Sequence, residues 1–185
     1  MDGTWQDLRD KVDYTNLLRL CQQRILVSTD ELTDEKALKE IESVVLKAES
    51  VRNCTHEDKG KLIRRLFYHL RRTLDFLTPY AEDPAVTEIM VNGPERIFVE
   101  RDGEMIRLEE CFDSTEQLEQ MIRRIGAGVH REINEANPIL DARLEDGSRV
   151  SAVYKNIALG GPILTIRKFP ETHLSMDDLI RWGTI

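Results

Sequence analysis

The stretch "DARLEDGSRVSAV", residues 141–153, decides how the second half of the chain is built. Two β-prone runs flank a Glu145-Asp146-Gly147 turn, with Arg143 on one side and Arg149 on the other. Loop length sets the register, and a slip of one residue turns every side chain to the opposite face of a sheet. A two-residue turn at Asp146-Gly147 opposes Arg143 to Val150 and Arg149 to Leu144, sending the arginines to opposite faces. A three-residue loop, with Gly147 in the left-handed position of a bulge, opposes Arg143 to Arg149. It also sets Ala142 with Val150 and Leu140 with Ala152 on the other, apolar face. That sidedness is cleaner, so the three-residue loop is preferred.

Like charges opposed on neighbouring strands weaken a sheet unless water or an anion takes them up. In the three-residue register the arginines share their face with Asp141 and Ser151, while Arg167 and Lys168 follow on the last strand. Residues 141–170 hold five basic side chains against three acidic ones, a local excess within a chain of net charge -8. Two readings compete. One is a small-anion site, because the forked guanidinium matches phosphate oxygens. The other is an ion pair with Asp141, which spacing alone favours because exposed pairs on sheets are common and contribute little.

Working outward, residues after Pro79 read as short strands separated by turns: "EIMVN", Gly93-Pro94, "RIFVE", Asp102-Gly103, "EMIRL". This is the pattern of a three-stranded antiparallel meander, with "RDGE" as its hairpin signal. A helix follows, opened by Ser114 with Gln117 three residues on, carrying Leu118, Met121, Ile122 and Ile125 on one face and stopped at "GAG", residues 126–128. Strands are expected at "ILDARL", "SRVSAVY" and "PILTIRKF", then a helix "MDDLIRW" opened by Ser175 with Asp178. The order is β-β-β-α-β-β-β with an antiparallel sheet. Asp83-Pro84 reads as a turn and helix start, Asn92-Gly93-Pro94 as a tight turn and Gly160-Gly161-Pro162 as a loop before a strand, and none of them needs a ligand.

Residues 1–78 read instead as a helical bundle of about three helices. Their apolar faces are Leu17, Leu18, Cys21 and Ile25; then Leu38, Ile41, Val44 and Val45; then Leu62, Ile63, Leu66, Leu70, Leu74 and Leu77. Thr33, and Thr55 with Asp58, are helix starts, and the third helix is expected to end near Thr78-Pro79. Lys61, Arg64, Arg65, Arg71 and Arg72 on that helix read as a solvated face, given their apolar and acidic neighbours. Charge separates the halves: residues 1–80 balance 14 basic against 14 acidic side chains, and the remainder holds 12 against 20. The expected layout is α+β, with a helical domain over 1–78, a sheet domain over 79–173 and a linker helix beginning at 174.

Composition narrows the function classes. The chain is 41% hydrophobic and 32% charged, which fits a folded protein rather than a disordered one. The net charge of -8 argues against broad binding to nucleic-acid backbones. Cys21, Cys54 and Cys111 are far apart and His56, His69, His130 and His173 are scattered, so neither a disulfide framework nor a metal site is expected. No apolar run reaches the roughly 20 residues of a membrane span, and a cytoplasmic location is expected.

The ordered set "EDPAVTEIMVNGPERIFVERDGE", "DARLEDGSRVSAV" and "LGGPILTIRKF" resembles the N-terminal portion of CpaF/TadA-type secretion ATPases, which power tight-adherence pili, and the resemblance covers residues 82–185. It implies a PAS-like domain joined, in the parent protein, to a RecA-like motor domain, six subunits forming a ring. It further implies that Arg143, Arg149 and Arg167 reach the phosphates of bound ATP, with its Mg, when a subunit closes about a hinge near Phe169 to Leu174. Arg131 in "GVHREINEANP" also matches a basic position, although Glu132 or Glu135 can pair with it. The implied partners are the chain's own motor domain, neighbouring subunits of the hexamer and an inner-membrane platform protein, at the inner face of the cell membrane. No GxxxxGK[ST] loop occurs in the sequence, so this chain is not expected to hydrolyse ATP alone; its end at "DDLIRWGTI" suggests a fragment of a longer P-loop ATPase. The alternative is an interaction module whose helical leader docks a platform or regulatory partner without any ligand.

Overall fold

The computed structural model describes residues 5–27, 33–169, 176–181 and 183. The leader contains α1 (Trp5–Lys11), α2 (Tyr14–Val27), α3 (Asp34–Lys47) and α4 (His56–Arg71). Thr33 Oγ accepts the backbone N–H of Lys36, and Thr55 and Asp58 form a reciprocal capping box, so both expected starts hold. Leu17, Cys21, Ile41, Val45, Leu62 and Leu66 meet in one core, joined by Leu8 and Val12. The short helix α1 was not expected; its 7 residues are too few to show a period.

The third expected helix is shorter than its apolar pattern. α4 ends at Arg71, Arg72 is extended, and Asp75 takes a left-handed φ of 53° at the start of a single tight turn, Asp75–Leu77. Helix α5 (Thr78–Glu82) follows. Leu74 and Leu77 keep the spacing of the helix but belong to a different core. Periodicity records that a side chain is buried, not which core receives it.

The sheet contains β1 (Val86–Asn92), β2 (Ile97–Arg101), β3 (Glu104–Arg107), β4 (Ile139–Arg143), β5 (Arg149–Val153) and β6 (Ile163–Arg167), with α6 (Thr115–Gly128) between β3 and β4. Its order is β3-β2-β1-β6-β5-β4 and every pairing is antiparallel, so the fold is α+β as expected. Each half supplies a meander, and the two meanders fuse through β1 and β6, where Glu88 faces Arg167 and Met90 faces Thr165. Leu118, Met121, Ile122 and Ile125 of α6 cover one face of the sheet, packing with Ile89, Val91, Val150 and Leu164. α6 ends at Gly128, the last residue of the "GAG" segment, as expected. Gly126 is buried, a Cβ there would sit 2.8 Å from the Arg131 carbonyl oxygen, and the Arg131 N–H donates back to the Gly126 carbonyl, tying the turn that leaves the helix. α7 (Met176–Arg181) lies where the last helix was expected; Ser175 and the hinge residues 170–174 lie outside the described residues.

The leader core and the sheet core meet along a polar seam. Arg65, read from the sequence as part of a solvated face, is 5% exposed. Its guanidinium stacks on Phe76 at 3.6 Å and on Trp5 at 4.6 Å, and Nη2 donates to the Cys111 carbonyl. The reading fails because Phe76 and the segment around Cys111 cover that side of α4, which a helical pattern cannot foresee. Arg71 and Arg72 instead clamp the start of α3 through Asp34, at 3.1 and 2.7 Å. Deeper in the seam, the Asp75 carboxylate is fully buried and meets His69 Nδ1 at 2.7 Å, Gln117 Nε2 at 3.0 Å and the Phe76 N–H at 2.7 Å. Burial alone would raise the Asp75 carboxyl, but the His69 hydrogen bond and charge, with Arg65 and Gln117, hold it below the ordinary carboxylate range.

Candidate functional site

The β4–β5 hairpin has the three-residue register. Gly147 has a φ of 85°, the Leu144 N–H bonds to the Ser148 carbonyl, and Arg143 lies opposite Arg149. The adjoining pairing places Arg149 opposite Arg167, and the next places Arg167 opposite Glu88, which in turn faces Glu100. One straight row therefore crosses five strands, with three guanidinium groups followed by two carboxylates. Strand alternation turns the neighbours Val150, Ile166, Ile89 and Val99 into the core beneath α6 and leaves the row on the opposite, open face.

The three arginines are exposed and differ in what they touch. Arg149 forks onto Asp141, Nε to Oδ1 at 3.1 Å and Nη2 to Oδ2 at 2.7 Å. That hydrogen bonding lowers the Asp141 carboxyl below its ordinary value. Arg167 reaches Glu88 at 3.1 Å. Arg143 has no carboxylate partner among the described residues and lies over the exposed Phe169 ring at 5.5 Å. The Arg149–Asp141 pair is open to water on both sides, whereas Glu88 is mostly covered and only Arg167 of its pair is exposed; exposed pairs contribute little by themselves and exchange readily for another anion.

Arg131 stands apart from the row. It lines a recess of about 420 Å³ together with His130, Asn137 and Asp141, and among the described residues it pairs with neither Glu132 nor Glu135. Its backbone N–H donates to the Gly126 carbonyl, so the end of α6 sets where it sits. Lys168 is not a member of the row either: its Nζ donates to the Asp83 carbonyl at 2.6 Å. Glu88 was missed from the sequence because only the β1–β6 pairing, between residues far apart in the chain, brings it beside Arg167.

The row gives the open face a concentrated positive strip able to meet several oxygens of one polyanion. It offers no backbone N–H cradle, so it suits a contribution to an anion already held elsewhere.

No protein-family model matches the sequence. Among curated proteins, an uncharacterized protein of Methanocaldococcus jannaschii, MJ0900, is 33% identical over 135 residues, covering 70% of this chain and 24% of the relative. A second from the same organism, MJ0781, is 36% identical over 126 residues, covering 66% and 17%. The type IV secretion system protein VirB11 of Brucella suis is 30% identical over 111 residues, covering 60% and 31%. The chain is a distant homologue of VirB11. The crystal structure of the Brucella suis VirB11 ATPase, in complex with sulphate, superposes with a TM-score of 0.55 at 27% identity, covering 63% of this chain and 36% of that one. The matching part is the N-terminal region of VirB11. The chain thus spans about a sixth to a third of the length of the curated relatives it matches. Among the described residues, no helix is long and apolar enough to cross a membrane.

Proposed function

We propose that this chain is the N-terminal regulatory and assembly module of a hexameric secretion ATPase of the CpaF/TadA type, which serves tight-adherence pili. In this reading a RecA-like motor domain holds ATP and Mg, and the module swings towards it. Arg143, Arg149 and Arg167 then meet the phosphates, with Arg131 as a further contact at the edge of the site. The single observation carrying this reading is the in-register row of three guanidinium groups on the face that α6 leaves open. Phosphoryl transfer spreads negative charge over the transferring oxygens, and arginines arriving from outside the nucleotide cradle stabilise it. Arg149 and Arg167 would trade Asp141 and Glu88 for phosphate, so domain closure and nucleotide state become linked. The module works in the cytoplasm at the inner face of the membrane, against neighbouring subunits and an inner-membrane platform protein.

The test is ATP turnover by the full-length protein with Arg143, Arg149 or Arg167 changed to Ala. Each loss should lower turnover by about tenfold or more, since trans-acting arginines elsewhere contribute larger factors. Wild-type turnover with normal ring assembly in all three variants would end this reading.

A second reading has its own observation. Leu26, Leu38 and Leu46 are exposed on the leader at 83%, 40% and 56%, an arrangement suited to docking a platform or regulatory protein without any ligand. Partner capture that is lost on changing these leucines to Ser, yet is indifferent to the arginine changes, would favour it.

A further inference from the structure

A cleft of about 570 Å³ opens where the leader meets the sheet domain, far along the chain from the arginine row. Its walls include Trp5 of α1, Arg64, Arg65 and Tyr68 of α4, Tyr80 of α5 and Arg107 at the end of β3. The volume falls within the roughly 300–1,000 Å³ of small-molecule sites. Arg64, Arg65 and Tyr68 follow from the helical repeat, which brings residues three and four apart onto one side of α4.

Three observations point to an anion. The side chains of Arg64 and Arg107 make no ion pair or hydrogen bond among the described residues, although acidic side chains outnumber basic ones 34 to 26. Arg65 is nine-tenths buried, and its Nε–H has no acceptor. A buried guanidinium without a carboxylate is costly, and an anion close by relieves it. The acids at the cleft are Glu109 and Glu110, and Glu110 is engaged by the Tyr80 hydroxyl, which donates to both of its oxygens at 3.1 and 3.2 Å. Cations therefore prevail there.

The remaining wall is aromatic. Trp5, Tyr68 and Tyr80 offer flat surfaces that favour a ring over an inorganic ion. We propose that the cleft binds a ring-bearing organic anion, its charge between Arg64 and Arg107 and its ring against Tyr68 and Tyr80. Because α4 belongs to the leader and Arg107 to the sheet domain, such a ligand staples the two cores together.

Titration of the whole chain with naphthyl phosphate, followed by backbone amide NMR, tests this. Saturable shifts should centre on residues 61–68 and 107–110, and the melting midpoint should rise with ligand. Arg64→Ala and Arg107→Ala, both at exposed positions, should each weaken binding by about tenfold while the fold is kept, and Arg149→Ala should leave it unchanged. Inorganic phosphate and naphthol, each carrying half of the chemistry, should bind far more weakly. Shifts that do not saturate, that centre on the row at 143, 149 and 167, or that persist unchanged in both variants would overturn the proposal. Tighter binding of an acidic peptide lacking aromatic residues than of naphthyl phosphate would overturn it as well.

Discussion

The protein uses arginine in two opposite ways. On the open face of the sheet, Arg143, Arg149 and Arg167 stand in water and lean on partners that water competes for. In the seam between the cores, Arg65 is stripped of water and held by two rings and a carbonyl, while Arg124 donates to the His69 carbonyl and approaches Asp75 at 3.8 Å. The first set can change partners at little cost, which is what a site for a transient anion requires. The second set cannot, which is what a joint between two cores requires.

The sharpest way to break this contrast is to remove one arginine from each set. Arg65→Ala leaves the Cys111 carbonyl without its donor and opens a gap between Trp5 and Phe76, and should destabilise the fold by about 2–4 kcal/mol, read by chemical denaturation. Gly126→Ala should follow at about 1–3 kcal/mol, because the new methyl meets the Arg131 carbonyl at 2.8 Å and backbone must move. The same variant should disturb the position of Arg131, visible as amide shifts around residues 129–132.

Acid should loosen the seam. Asp75 is held below its ordinary value in the folded state, so its contribution is complete above the unfolded carboxylate value near pH 4 and fades as pH falls through the lower, folded one. Asp75→Asn should therefore flatten the stability profile on the acid side of about pH 4; Asn also tolerates the left-handed backbone at this position. An unchanged acid limb would remove Asp75 from the joint. The smallest effect belongs to the row: Arg149→Ala should leave the melting midpoint unaltered, since its pair with Asp141 is open to solvent on both sides. A clear drop would make that arginine structural and weaken its assignment to an anion.

Local chemistry was legible wherever the cause lay within a few residues. The capping oxygens of Thr33, Thr55 and Ser114, the turn at Gly147 and the strand alternation of residues 139–153 all act over one turn or one hairpin. The helix break at Arg72 was hidden because Leu74 and Leu77 continue the apolar spacing while serving the other core. Arg65 looked like any charged residue on a helix until Phe76 and the Cys111 carbonyl were laid against it.

By itself, then, the sequence determined the α+β order and the first meander and favoured the facing of Arg143 and Arg149, because turn length and side-chain alternation are local properties of the chain. Only the tertiary structure decided that β6 pairs with β1, carrying the row on to Arg167 and Glu88, and that Arg65 and Asp75 lie inside a joint. Those outcomes rest on contacts between residues far apart in the chain, chosen by the burial of two cores at once, and no local pattern records such a choice.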